Sequence, residues 1–318
     1  MRRGWGLALI GLGVLFLALA PLLKFYAVPR LAVAPLNLDF KGDPSVASGT
    51  VAQVADLPTG TQRSDVPLVA VRHTGADVAA SEQLGGNAGV YFSTQVVSEA
   101  SDSQGLPYLP VSPERYAFDR TTDVMLAEAD ANVDGVKITP EMIAGDALMP
   151  LKMPFFTEKK TYNVFDSTLM KGVATEFVAE EQVQGLTTYH FRSHVDAVQY
   201  ATQGTQTLWY QNTTDSWVEP MTGQVVNGAS DTKQWLKNAD GTDSLVLVDG
   251  TLAFTDQNVT DSVNQAKENS AKINLISNVA PVVLLVLGLI ALVVGILLLR
   301  RDDEPAEPEA VGKRSVAV

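Results

Sequence analysis

The stretch TTYHFRSHVDAV, residues 187–198, has two readings, and the choice between them decides the fold. On a helix, His190 and His194 stand four apart on one face, as a zinc pair would, but the companion H-E-x-x-H pattern is absent. On a strand, Tyr189, Phe191, Val195 and Ala197 fall on one face, and His190, Arg192, His194 and Asp196 on the other. The strict period-two alternation favours the half-buried strand. The two histidines then belong to a solvated polar row beside Asp196, and His73 stands alone.

The neighbouring sequence agrees. GVATEFVAEEQV (172–183) followed by QGL reads as a partner strand and a glycine turn. Consecutive acids such as Glu180-Glu181 alternate faces on such a strand, so they are expected to be solvated rather than convergent. DSWVEPMTGQVV (215–226) reads as strand, turn, strand. SLVLVDGTLAFT (244–255) suggests a hairpin turning at Asp249-Gly250. VPLVAVRH (66–73) and GVYFSTQVVSEA (89–100) add two strands, while the small residues of 39–60 suggest a loop. DSVNQAKENSAKINLISNVAP (261–281) has no breaker before Pro281 and is expected to run as helix into the apolar segment that follows.

Two uncharged runs frame this β-rich middle. Gly4–Leu23 spans about 20 residues, and Ile273–Leu299 has an almost purely aliphatic core, PVVLLVLGLIALVVGILLL; both lengths suit transmembrane helices. The first run also resembles a signal peptide, but it exceeds the usual apolar core, and Pro21 directly follows the Ala18-Leu19-Ala20 cleavage pattern. It is expected to remain as an anchor. Arg2 and Arg3 precede the first run, and Arg300 and Arg301 follow the second, which places both termini in the cytoplasm and the middle outside. The expected domains are 1–26 (N-terminus and first transmembrane helix), 27–272 (extracytoplasmic β-rich domain), 273–299 (second transmembrane helix) and 300–318 (disordered tail).

The chain has a net charge of −13, and all but five of its 36 acidic residues lie in the middle domain. That argues against nucleic acid as a partner. With no cysteine, disulfides, thiolate metal sites and cysteine nucleophiles are excluded. DANVDGVKITPE (130–141) matches the spacing of a calcium loop, with Asp130, Asn132 and Asp134 at the first ligand positions, Gly135 at the bend and Glu141 closing it. Against this stand Ile138 and Lys137 at unsuitable positions and the sheet-like surroundings. The segment is read as a tight turn centred on Asp134-Gly135. Asn212-Thr-Thr and Asn258-Val-Thr match the glycosylation pattern, which short chance matches also satisfy. Gly288 and Gly295, with Ala291, would let the two apolar helices approach closely. No catalytic, cofactor or metal residue emerges, so no enzyme activity is expected.

YAFDRTTD (116–123), LKMPFFTEKKTYNVFDST (151–168), VQGLTTYHF (183–191) and WVEPMTGQVV (217–226), with the frame of two terminal spans, resemble the actinobacterial porin PorA-like family of cell-envelope proteins. The resemblance covers nearly the whole chain but supplies no binding residue that can be carried over. It implies an ectodomain similar to the scavenger-receptor class B lipid-binding fold. The expected fold is α+β: a membrane-anchored, antiparallel β-rich ectodomain between two transmembrane helices. The expected function is binding or transfer of a membrane lipid or lipoglycan in envelope biogenesis. The alternative is a non-catalytic accessory subunit of an envelope glycosyltransferase or another envelope-assembly membrane protein, with a porin or a calcium-binding protein behind both.

Overall fold

The computed structural model describes residues 2–56, 59–101, 111–145 and 147–302. The tail expected to be disordered lies, from residue 303 onward, outside the described residues. Two compact units emerge: Arg30–Ile273, and the terminal segments up to Pro29 and from Asn274. In chain order, α1 (Arg2–Leu22) passes through a π-turn (Leu23–Ala27) into α2 (Val28–Leu31). Then come β1 (Ser45–Asp56), β2 (Thr61–Ala76), α3 (Val78–Leu84), β3 (Ala88–Glu99) and β4 (Ser112–Asp119). Short strands follow: β5 (Met125–Leu126), β6 (Asn132–Val133) and β7 (Val136–Lys137), then α4 (Pro140–Ile143) and β8 (Leu148–Met149). The long meander is β9 (Tyr162–Asp166), β10 (Lys171–Val183), β11 (Leu186–Gln203), β12 (Gln206–Val218), β13 (Val225–Lys237) and β14 (Asp243–Phe254). α5 (Asp256–Asn274), a second π-turn (Leu275–Val279) and α6 (Ala280–Asp302) are the last described elements.

Among the described residues, fourteen strands belong to one sheet, ordered β7-β6-β4-β3-β2-β1-β14-β13-β12-β11-β10-β9-β8, with β5 pairing onto β4. Every pairing is antiparallel except β8 with β9. The expected strand over 187–198 is the middle of β11. Its turn to β10 has Gln184 and Gly185 both at positive φ, the two-residue hairpin geometry that matches strand twist.

Directly opposed residues share a face, so one face can be traced across the strands. Phe191 faces Ser216, Thr214 faces Ser230, Ser230 faces Leu252, and Gln234 faces Val248. Val248 faces Val54, Val51 faces Val66, and Ala70 faces both Ala47 and Val97. Two buried apolar clusters lie on this inner face: Val51, Val54, Val66, Leu68, Ala70, Val97 and Val248 in one, and Met149, Met153, Tyr162, Phe191 and Val218 in the other. A third cluster draws from both ends of the strand order, Tyr116, Phe118, Met125 and Ile138 from one and Leu148 and Phe165 from the other. The sheet is therefore rolled until its two ends share a core.

Two expectations are corrected here. Asp249-Gly250 does not turn a hairpin; β14 runs straight through it. Gly250 sits at a bulge in the β1–β14 pairing with φ +157°, and a Cβ there would meet Val51 Cα at 2.7 Å. Residues 39–60 are not all loop either: β1 is a central strand. Gly49 lets the paired strand β14 come close at the bulge, since a Cβ there would meet the Thr251 carbonyl oxygen at 2.1 Å. α5 is held at its start by Thr255, whose Oγ1 accepts the Asn258 N–H at 3.2 Å. It packs Val259, Val263 and Ala266 onto Trp217, Val226 and Phe254.

In the helical unit, α1 and α6 pack antiparallel along a seam of small residues. Gly6, Gly13 and Ala20 recur every seven residues, as do Pro281, Gly288 and Gly295, and all six are buried. A Cβ on Gly13 would meet the Gly288 carbonyl oxygen at 2.8 Å, and one on Gly295 would meet that of Gly6 at 2.8 Å. The remaining faces present leucine, valine and isoleucine outward. Both helices are long and apolar enough to cross a membrane. Exposed Trp5 and Tyr26 mark off roughly 30 Å of helix, the thickness of a bilayer's hydrocarbon core.

Candidate functional site

Three of the segments that carry the family resemblance meet at one junction. Asp119 ends β4 and accepts the N–H groups of Thr121 (2.9 Å) and Thr122 (2.8 Å), which folds the chain back sharply. The turn delivers Asp123, 1% exposed and at φ +59°. Its Oδ2 accepts the Lys152 backbone N–H at 3.1 Å. The Lys152 ammonium donates to the carbonyls of Met153 (2.9 Å) and Thr222 (3.2 Å) and lies 4.2 Å from the Phe155 ring centroid. Thr222 lies in the β12–β13 turn, which buried Glu219 holds by accepting the Met221 and Thr222 N–H groups and the Thr222 hydroxyl. Residues 153–157 run along this turn, with the N–H groups of Met153, Phe156 and Thr157 bonded to the carbonyls of Gly223, Met221 and Pro220. Burial pushes the Asp123 carboxyl up to about 7 against the opposing pull of Lys152. Burial likewise lowers the Lys152 ammonium, opposed by Asp123.

The fourth segment contributes a different cluster. His190 was expected on the solvated face, but it is buried, stacked on Trp217 at 4.5 Å between centroids. Its Nε2 lies 2.6 Å from Asp215 Oδ1, and its Nδ1 lies 3.1 Å from Glu181 Oε1. Glu181 also accepts the Trp217 indole N–H at 2.7 Å, and Arg192 forks onto both oxygens of Asp215 at 2.7 and 3.1 Å. The Trp217 bond, with His190 adding to it, holds the Glu181 carboxyl below its usual range. Partial burial raises Asp215, but Arg192 and His190 together bring it below its usual range. Glu181 is thus convergent, not simply solvated, because a bulge between Phe177 and Ala179 re-aims β10. His194 and Asp196 do form the expected exposed pair, 3.2 Å apart. Bulges past Val195 break the alternation there, and Ala197 is exposed.

Between the apolar clusters, the inner face carries a polar belt. Asn212 Oδ1 accepts the hydroxyls of Ser230 (2.9 Å) and Thr232 (3.0 Å), and its amide donates to Thr214 at 2.9 Å. Beside it, the Tyr210 hydroxyl donates to Asp166 at 3.0 Å, and burial raises both groups. Phe40, Phe92, Thr94, Pro113 and Glu114 line an open groove of about 260 Å³.

The calcium-like segment is a two-residue hairpin between β6 and β7, with Asp134 at φ +48° and Gly135 at φ +77°. The Asn132 carboxamide accepts the Gly135 N–H at 3.2 Å, and Asp130 pairs loosely with Lys137 at 3.9 Å. Glu141 stands in α4. Among the described residues, no group of three histidine or acidic side chains is placed to hold a metal. Asn212 and Asn258 of the glycosylation patterns are both committed to internal hydrogen bonds, Asn258 by accepting the Val46 N–H at 3.0 Å. His73 lies beside Phe40, 5.8 Å between centroids. The sequence reading passed over Asp123 and Lys152; the available signal was one lysine inside the apolar run LKMPFF.

Among known proteins, the chain is similar to "Porin PorA" of Corynebacterium amycolatum, 25% identical over 227 residues, which is 60% of this chain and 57% of that protein. It therefore spans under three-fifths of that relative's length. A family model described as Porin PorA matches residues 5–297, from the first apolar helix to the last. On that match, the chain belongs to the porin PorA family.

Proposed function

We propose that this protein is a two-pass envelope membrane protein with both termini cytoplasmic, whose rolled sheet binds a membrane lipid or lipoglycan on its inner face and passes it on in envelope assembly, without covalent chemistry. The observation that carries this reading is the composition of that face: a belt of hydroxyl and carboxamide groups around Asn212 between two buried aliphatic and aromatic clusters. Such a surface suits a ligand with apolar chains and a polar head. The fold implied by the resemblance, a lipid-binding ectodomain between two terminal spans, agrees with it. Orientation rests on Arg2 and Arg3 before the first helix and Arg300 and Arg301 after the second.

The relative's name favours a second reading as a pore. The two apolar helices weigh against it, because the stretches Gly4–Leu23 and Ile273–Leu299 carry no ionisable side chain to line a channel, and several chains would have to assemble. Native mass spectrometry of the full-length chain, with organic extraction of the same sample, separates the two when run beside planar-bilayer recordings. The lipid reading predicts a stoichiometric lipid adduct and a silent bilayer. A bare mass together with discrete conductance steps would establish the pore instead.

A further inference from the structure

We propose that the rolled sheet opens along one seam, between the β4–β7 end and the β8–β9 end, and that this seam is the way onto the inner face; its role as an entrance rests on the ligand reading above. The two joints of the roll are built differently. On one side β1 and β14 are joined by a backbone ladder, with Val54 paired to Val248 and Ala47 to Phe254. On the other, among the described residues, no backbone–backbone hydrogen bond joins the two ends. What holds them is side-chain contact. Tyr116 meets Phe165 edge-on at 6.0 Å within the shared cluster, and Asp123 reaches the Lys152 N–H.

Strain is stored at the same place. Ala129 (φ +51°) and Met170 (φ +53°) both pack against the shared cluster, and Phe156 (φ +56°) lies in the segment beside Lys152. None of these side chains favours the left-handed region. A joint closed by side chains and holding strained backbone opens at lower cost than a ladder. Local opening follows such differences.

The chain has no cysteine, so a seam disulfide can be engineered without background. Full-length protein carrying Asp123→Cys and Lys152→Cys is compared with wild type by hydrogen exchange in detergent. Oxidation should slow amide exchange in β4, β5, β8 and β9 by about tenfold or more relative to wild type, and reduction should make it faster than wild type, with β12 and β13 unchanged. Exchange at the seam that matches β12 and β13 in wild type, or that ignores the redox state of the variant, overturns the proposal. If the double variant fails to fold, wild-type exchange still decides, because the seam strands must exchange at least tenfold faster than β12 and β13. Uptake of an apolar fluorescent naphthylamine probe, measured in parallel, should stop on oxidation and return on reduction. Uptake that oxidation leaves unchanged overturns the entrance. Absence of uptake in every form counts against the ligand reading alone, because exchange is measured without ligand.

Discussion

At the scale of single residues, buried charge dominates this molecule. Asp123 lies in a buried junction, and burial lifts its carboxyl from the usual aspartate value near 3.8 to about 7. The sign follows: below pH 4 the group is neutral folded or unfolded and costs nothing. Between pH 4 and 7 the unfolded chain sheds its proton and the folded chain keeps it, so stability falls with rising pH and levels off above 7. Asp123→Asn should remove that slope. Measured by thermal melts at pH 4.5, 6 and 8, the variant should gain on wild type as pH rises, by on the order of a few kcal/mol in total. A constant difference across the series would contradict the assignment. Asp215 is a partner rather than a liability, since His190 and Arg192 both bond to it. Asp215→Ala should cost roughly 2–4 kcal/mol by denaturant titration, whereas Asp196→Ala, an exposed carboxylate, should cost less than about 1. This scale was the least legible in sequence. Period two placed His190 correctly on a face, but it could not show that Trp217 and Glu181 cover that face. Asp123 and Lys152 are 29 residues apart, and nothing local marks them as neighbours.

Elements were read more surely. The strand over 187–198, the Gln184-Gly185 turn and the break at Pro220–Gly223 each carry their own local signal and stand where expected, although the alternation within that strand fails past Val195. Asp249-Gly250 misled because the same dipeptide serves a hairpin and a bulge. Only the neighbour, Val51 at 2.7 Å from the missing Cβ, decides between them. The small residues of β1 look like loop until the close approach of its neighbour β14 at Thr251 explains Gly49. In the apolar helices the glycine signal was direct. Gly13→Leu should force α1 from α6, since its first added carbon already meets Leu292 Cγ at 2.7 Å. It should lower thermal stability in micelles by on the order of 1–3 kcal/mol, whereas Gly11→Leu, with nothing within 4 Å, should be neutral. Equal effects from the two would contradict the packing.

At the scale of the whole molecule, the sequence disclosed a β-rich middle between two apolar helices but not the rolling of one fourteen-stranded sheet. Strand order depends on pairings between distant segments, such as β1 with β14, about two hundred residues apart. The rolled form gives the chain an inner face, on which we propose that a lipid-like ligand lies. A photoactivatable fatty-acid analogue offered to the full-length protein in vesicles, with its adducts mapped by peptide mass spectrometry, tests that claim most directly. Adducts should fall on inner-face residues of β9 to β13, around Tyr162, Phe191 and Val218. Adducts confined to α1 and α6, where any membrane protein meets its bilayer, would contradict it.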